Sequence, residues 1–428
     1  MFSNQEHPKS SYYAATANPF AVLPRLTDSI TADVCVVGGG FTGLSAALNL
    51  AERGFKVVLL EANRIAWGAS GRNGGQINTG LRKSPQELIA RFGKQRGRAV
   101  FDLAEEARAI IWERVAQHGI KCDLRDGNML LASTPGDLSW MEEEIACYER
   151  EMDYHKAKLL DRKAIRGEIA SELYFGGITD TGGGHLHPLN YALGLADAAK
   201  AAGVQMFEHS AATKIEENGG KVTVTTASGK IEAKYAVLGC NAYLGGLEPK
   251  IAGKIMPIAN FVIATEPMPE GEARALIPSG SCACDTKFVV SYYRVTADNR
   301  MLFGGGERYG THEPADIAGF VKPYMLKVFP QLGSKRIEYG WGGMLAITML
   351  RLPHLGRIGN VFYAHGYSGM GVAITGIAGK LIAEAMAGSA ERFDVFAQIP
   401  HQTFPGGTLL RHPLLVLAML WYVLRDKF

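Results

Sequence analysis

The hydrophobic pattern gives the chain two textures. Near the N-terminus, "DVCVVG" (33–38) and "KVVLLE" (56–61) are short apolar runs that read as buried strands. Between them, "GLSAALNLAER" (43–53) spaces its apolar residues as a helix and stops at Gly54. Strand, glycine turn, helix and strand predict a βαβ unit, the start of a doubly wound sheet. Residues 361–388 repeat the order of strand, glycine loop and helix. The texture between these ends is mixed. The spacing predicts helix over 86–118, a strand at "GNMLLAS" (127–133), exposed helices over the charged stretch 138–166, and a helix at "YALGLADAAKAAG" (191–203). Alternation after Gly203, with turns at Gly219-Gly220 and Ser228-Gly229, predicts a hairpin feeding a buried strand, "YAVLGC". Residues 255–310 predict further strands, among them "KFVVSYYRV" and "RMLFGGGE".

The chain's 428 residues exceed one compact core and predict two or three domains. A net charge of +3 gives no reason to expect a nucleic-acid partner. The six cysteines are scattered, which fits a reducing compartment, and the expected setting is the cytoplasm. Cys282-x-Cys284 has no second pair or nearby His, so no metal site is expected. The first 30 residues lack the apolar core of a signal peptide. Residues 413–424, "PLLVLAMLWYVL", are apolar all round and flanked by Arg411 and Arg425. As a helix they reach about 18 Å, short of a bilayer core of about 30 Å. They are expected either to pack on the body or a second subunit of a homo-oligomer, or to dip into a membrane face with Trp421 at the headgroups.

The chemistry starts at Gly38-x-Gly40-x-x-Gly43, which follows a predicted strand and opens a predicted helix. The first glycine permits the turn, the second admits a pyrophosphate, and the third lets the helix pack on the sheet. Glu61 ends the next strand, where a carboxylate accepts the ribose hydroxyls of an adenosine and disfavours a 2′-phosphate. These residues indicate a dinucleotide without choosing between NAD and FAD. A second glycine loop, "ASGRNGGQIN" (69–78), follows at once, with Arg72 suited to neutralise pyrophosphate charge. A third, "HGYSGMG" (365–371), opens the last long helix.

Together these stretches, with "GGGHLHPLNYALGLADAAKAAG" and "YYRVTADNRMLFGGG", resemble the FAD-dependent D-amino-acid-oxidase-like superfamily of amine oxidoreductases. "SYYAATANP", "WGGMLAITMLRLPHLGRIGN" and the C-terminal tail resemble its γ-glutamylputrescine oxidoreductase branch. The resemblance implies an α/β plus α+β fold, with a discontinuous Rossmann-like FAD domain (28–85, 185–250, 340–390). An interleaved β-rich substrate domain would take 86–184 and 251–339, and 391–428 would form an extension. It also implies FAD contacts at Gly38, Gly40, Phe41, Thr42 and Gly43, at Glu61 and Ala62, and at Ser70, Gly71, Arg72, Asn73, Gly74 and Gln76. Ala212 and Asn241 would lie at the adenosine half. Gly366, Tyr367, Ser368, Gly369, Met370 and Gly371 would cradle the flavin ring. Some relatives tether the flavin to a cysteine before the last glycine loop. Residues 341–364 contain none, so non-covalent FAD is expected. Met349 after Thr348 departs from the Asp common in relatives.

Oxidising an amine moves a hydride equivalent to the flavin, and the helix after Gly371 can aim its free N–H groups at the charge that develops. Tyr292, Tyr293 and Arg294 are expected on the substrate side, with Trp341 and His365 near the flavin; His185 and His187 are expected to pack. A remote substrate carboxylate would suit Arg294, Arg308 or Arg351, and Lys287 would suit oxygen activation. The expected reaction is oxidative deamination of a γ-glutamylated polyamine, with oxygen or a quinone as acceptor. The alternatives are a glycine, sarcosine or D-amino-acid oxidoreductase, and a non-catalytic flavin-bound protein.

Overall fold

The structure, a computed structural model, describes residues 6–308, 313–411 and 413–414. Two sheets organise it. The first is built on the predicted βαβ unit. Ser29–Val37 pairs in parallel with Val57–Leu60 on one side and Lys230–Leu238 on the other. Gln205–Phe207 and Val361–His365 extend this parallel core, and His354–Ile358 closes one edge antiparallel. The central strands are Val- and Leu-rich because both faces are covered, so neither face alternates with polar residues. The predicted hairpin also forms. Lys214–Asn218 and Lys221–Thr225 pair antiparallel and lead into Lys230–Leu238.

Helices Phe41–Ala51 and Gly371–Met386 cross on one face of this sheet. They meet at small residues: a Cβ on Gly379 would lie 2.4 Å from the Ala46 nitrogen, and Ser45 Oγ donates to the Gly376 carbonyl at 2.8 Å. Only small side chains let the backbones come this close. Both helices therefore start at the same end of the sheet, the carboxyl ends of its strands.

The second sheet is mixed. Its order is Ile337–Ile347, Met256–Thr265, Met301–Arg308, Tyr292–Val295, Cys282–Asp285, Arg125–Leu131, Gly176–His185, Gln76–Ile77, with Ala157–Asp161 also on Gly176–His185. Cys282–Asp285 and Arg125–Leu131 pair in parallel. The charged stretch from 138 is not all helix: Asp137–Met152 is followed by the strand Ala157–Asp161. By strand membership the first sheet draws on 29–60, 205–238 and 354–365. Gln76–Ile77 and Ile337–Ile347 pair into the second sheet, unlike the ranges inferred from resemblance.

"KFVVSYYRV" forms a strand only at Tyr292–Val295. Asp285 causes the shortening. Its carboxylate accepts from the Ser291 backbone N–H at 2.9 Å and pairs with Lys287 at 2.9 Å, closing a loop where a ladder was expected. Among the described residues no helix is long and apolar enough to cross a membrane. The apolar segment from residue 415 onward lies outside the described residues. Arg411, expected as a flanking cation, donates to the carbonyls of Ala252 (2.5 Å) and Ile255 (2.6 Å).

Candidate active site

One cavity of about 1080 Å³ runs between the two sheets. It is at the upper end for small-molecule sites and suits an extended dinucleotide with room for a substrate. One wall is the carboxyl ends of the first sheet's strands; the other is the face of the second sheet carrying Asn260 and Tyr292.

The first glycine loop is built by close approach. Gly38 has φ +107°, and a Cβ on Gly43 would lie 1.9 Å from the Gly38 carbonyl oxygen, so the third glycine packs helix on turn and does not line the cavity. Glu61 fixes the turn from the neighbouring strand. It accepts from Gly39 N–H at 2.7 Å and Asn63 N–H at 2.9 Å. Burial raises its pKa, and the backbone N–H groups of Asn63 and Gly39 partly counter this. Gly38, Gly40, Phe41, Thr42, Glu61, Ala62 and Ala212 all line this end.

The second loop carries Ser70, Arg72, Asn73, Gly74 and Gln76 to the cavity wall, whereas Gly71 packs against Ala66. Ser70 Oγ accepts from Phe41 N–H at 2.9 Å, tying this loop to the first helix. Arg72 lies over the Trp67 ring at 4.3 Å, and its Nε donates to the Trp67 carbonyl at 2.7 Å. The third loop brings Tyr367, Ser368, Gly369, Met370 and Gly371 to the cavity. Gly366 sits behind them, its N–H donating to Asn241 Oδ1 at 2.9 Å. Tyr367 and Thr42 share a hydroxyl hydrogen bond at 2.8 Å, joining the two helix starts.

Both helices that open on the cavity, Phe41–Ala51 and Gly371–Met386, lack a side-chain cap. Ser84 caps Pro85–Phe92, Asp161 caps Arg162–Glu168 and His187 caps Pro188–Ala201, whereas Lys94–His118 and Asp137–Met152 also start without a side-chain cap. Apart from Phe41 N–H, which Ser70 Oγ takes, first-turn N–H groups at the cavity are thus left for a bound group. Asn63 adds a second indication. It is fully buried, lines the cavity beside Glu61, and neither side-chain polar atom has a partner among the described residues. Such an orphan calls for a ligand donor and acceptor. Uncapped helix starts, an acidic strand end and an unsatisfied amide fit FAD.

The substrate-side expectations need correction. Successive residues of Tyr292–Val295 alternate faces, so only one of the two tyrosines reaches the cavity. Tyr292 does, its ring seated on Gly74 and Gly304 and its hydroxyl donating to Asn260 Oδ1. Tyr293 points into the second core, stacked on Phe303 and bonded to the Tyr174 hydroxyl at 2.8 Å. Arg294 is buried behind the second glycine loop, donating to Gly74 O (3.0 Å), Leu186 O (3.1 Å) and the Tyr13 hydroxyl (3.3 Å). Trp341 is also behind it, with Nε1 donating to Arg72 O at 2.9 Å.

His365 faces away from the cavity. Its Nε2 lies 2.8 Å from His354 Nδ1, and the His354 ring packs against His401 with centroids 4.4 Å apart. Burial holds His365 down to about 3. His185 and His187 are buried, as expected of packing residues, and burial lowers each to about 3. Arg351 and Lys287 line the cavity; the side chain of Arg308 is outside the described residues.

Sequence reasoning missed Asn63, Asn260 and Arg82, all of which line the cavity. Asn260 had a signal, one amide inside the apolar run "PIANFVIAT". Arg82 had none, because its place depends on how Gln76–Ile77 joins the second sheet.

The described residues contain no cluster suited to a metal ion. A family model described as FAD dependent oxidoreductase matches residues 33–385. Over 420 residues the chain is 46% identical to γ-glutamylputrescine oxidoreductase of Escherichia coli K12, covering 98% of each chain. It is 39% identical to a probable oxidoreductase, OrdL, of Haemophilus influenzae, covering 100% of this chain and 99% of that one. Among solved structures, glycine oxidase of Geobacillus kaustophilus matches with a TM-score of 0.71 at 20% identity, covering 85% of this chain and 95% of that one. With the family model spanning both sheets and the cavity between them, this chain belongs to the FAD-dependent oxidoreductase family.

Proposed function

We propose that the protein oxidises the primary amine of a γ-glutamylated polyamine, γ-glutamylputrescine above others, to an aldehyde with release of ammonia. The observation that carries this reading is the end-to-end likeness to a γ-glutamylputrescine oxidoreductase, at 46% identity and 98% coverage of both chains. The cavity supports it physically. FAD, when bound, accepts the hydride equivalent from the carbon bearing the amine. The uncapped start of Gly371–Met386 offers N–H donors and a positive dipole end where negative charge develops. Tyr292 and Asn260, joined hydroxyl to amide, present a polar pair to the substrate from the opposite wall.

The amine must lose its ammonium proton before oxidation. Among the described lining residues the only carboxylate is Glu61, and there is no histidine. Lining cations (Arg72, Lys287, Arg351) and partial desolvation instead favour the neutral amine. Water then attacks the resulting imine, and ammonia leaves. FAD is held without a covalent bond, since 341–364 has no cysteine. Flavin that stays with acid-precipitated protein would refute that. Peroxide formed in step with amine consumed identifies oxygen as acceptor; turnover only with a quinone identifies the other. Co-sedimentation of the full chain with liposomes would assign the apolar segment 413–424 to a membrane face.

The deciding experiment is an anaerobic screen of amines for flavin bleaching. Bleaching by γ-glutamylputrescine is expected. Bleaching by glycine, sarcosine or D-amino acids but not by it would overturn the reading.

A further inference from the structure

The cavity opens to solvent where exposed residues form its lining. At one opening stand Arg82, Lys83, Lys287 and Phe288, the last 66% exposed. Three of these four are cations, and no Asp or Glu lines the cavity there. The cations are not equivalent. Lys83 pairs with Glu87 at 2.5 Å, and Lys287 with the buried Asp285 at 2.9 Å. Arg82 makes no ion pair among the described residues. It stands close enough to Cys284, another lining residue, for its charge to counter in part the burial that pushes that thiol up to about 12. An unpaired guanidinium at a cavity opening, backed by two ammonium groups, is a site for an anion. A planar, two-oxygen anion matches the fork of its N–H donors.

Resting on the γ-glutamyl reading, we propose that Arg82 binds the α-carboxylate of the glutamyl cap at this opening. Lys83 and Lys287 are each offset by a carboxylate, so the field at the opening is chiefly that of Arg82, which admits the capped amine and disfavours the bare diamine. The glutamyl group thereby acts as an electrostatic pass. A free diamine carries two positive charges into a cation-lined opening, where like charges repel. The cap turns one ammonium into an amide and brings an α-carboxylate together with its α-ammonium, so the net charge is halved and a carboxylate is available to the guanidinium. Arg294, one of the arginines expected for this role, is occupied behind the Gly74 loop; Arg351 lines the cavity as well, and a ratio unchanged in R82Q but collapsed in R351Q would move the role there.

The test uses FAD-loaded full-length enzyme and three substrates: γ-glutamylputrescine, the same amide lacking only the α-carboxylate, and putrescine. The readout is the ratio of kcat/KM between them. The wild type should favour the carboxylate-bearing substrate by about tenfold or more, the scale of a charge-assisted hydrogen bond. R82Q should shrink that ratio about tenfold, R82E should shrink it further and raise the relative use of putrescine, and added salt should weaken the wild-type preference. Flavin content and melting temperature show that the variants are folded, and K287Q gives a second, smaller change in the same direction. An unchanged ratio in R82Q and R82E overturns the proposal. If γ-glutamylputrescine is not oxidised at all, the substrate reading fails instead. The Arg82 ratio is then read on whichever amine bleaches the flavin, compared with and without a distal carboxylate.

Discussion

Glu61 shows how one side chain serves the turn and the ligand together. Its two carboxylate oxygens hold Gly39 and Asn63 N–H groups, and the residue lines the cavity. Glu61→Gln leaves an NH₂ group facing one of these donors and removes the charge. FAD affinity should fall by about tenfold to a hundredfold, as for a lost charged hydrogen bond, when apoprotein is titrated with the cofactor. Undiminished affinity would show that Glu61 serves the turn alone. Trp341 poses the opposite case. A sequence reading sets it beside the flavin, but its indole N–H is spent on the Arg72 carbonyl and its ring packs on Tyr13. Trp341→Phe should therefore cost about 1–3 kcal/mol in denaturant unfolding, through an unpartnered buried carbonyl. The ratios of kcat/KM among amines should hold. A selective loss on one amine would return Trp341 to the substrate side.

At the scale of elements, the two cavity-facing helices depend on glycines for two different reasons. Gly379 is needed for space, since its Cβ would strike the Ala46 backbone at 2.4 Å. Gly379→Val should force the helices apart and cost about 3 kcal/mol or more, with flavin lost on gel filtration. Gly369 is needed for conformation: its φ is +98°, yet a Cβ there would meet nothing within 4 Å. Gly369→Ala should cost about 1–2 kcal/mol through backbone strain. Gly371 is a third situation. A Cβ there has ordinary contacts from 3.6 Å, so Gly371→Ala should melt like the wild type while retaining flavin less well. Wild-type flavin content in that variant would remove Gly371 from the flavin cradle.

For the whole molecule, buried neutral histidines link stability to pH. His185, His187 and His365 are held to about 3, and His401 to about 4, in each case chiefly by burial. His354, between His365 and His401, is lowered too. These groups are neutral when folded and take up protons near 6.5 when unfolded. Their contribution is complete above about pH 6.5 and is lost as pH falls toward about 3. Each costs up to about 1.4 kcal/mol per pH unit in that window. Melting temperature should drop steeply between pH 6.5 and 4.5, and a flat profile there would contradict this account. His401→Gln should flatten part of the slope.

Sequence alone settled what depends on local rules. The βαβ unit, the glycine turns and the acidic strand end follow from periodicity, φ requirements and spacing over a few residues, and they were legible as such. It could not decide which face of Tyr292–Val295 meets the cavity, because a one-residue change of register exchanges Tyr292 for Tyr293. Nor could it separate His365 from the loop beside it, since only the pairing of His354–Ile358 with Val361–His365 draws that ring away from the cavity. Arg82 reaches the opening, and Arg294 is kept from it, through contacts between segments more than a hundred residues apart. Local composition carries a cofactor motif. The substrate side of the cavity is assembled by long-range pairing, and the tertiary structure alone decides it.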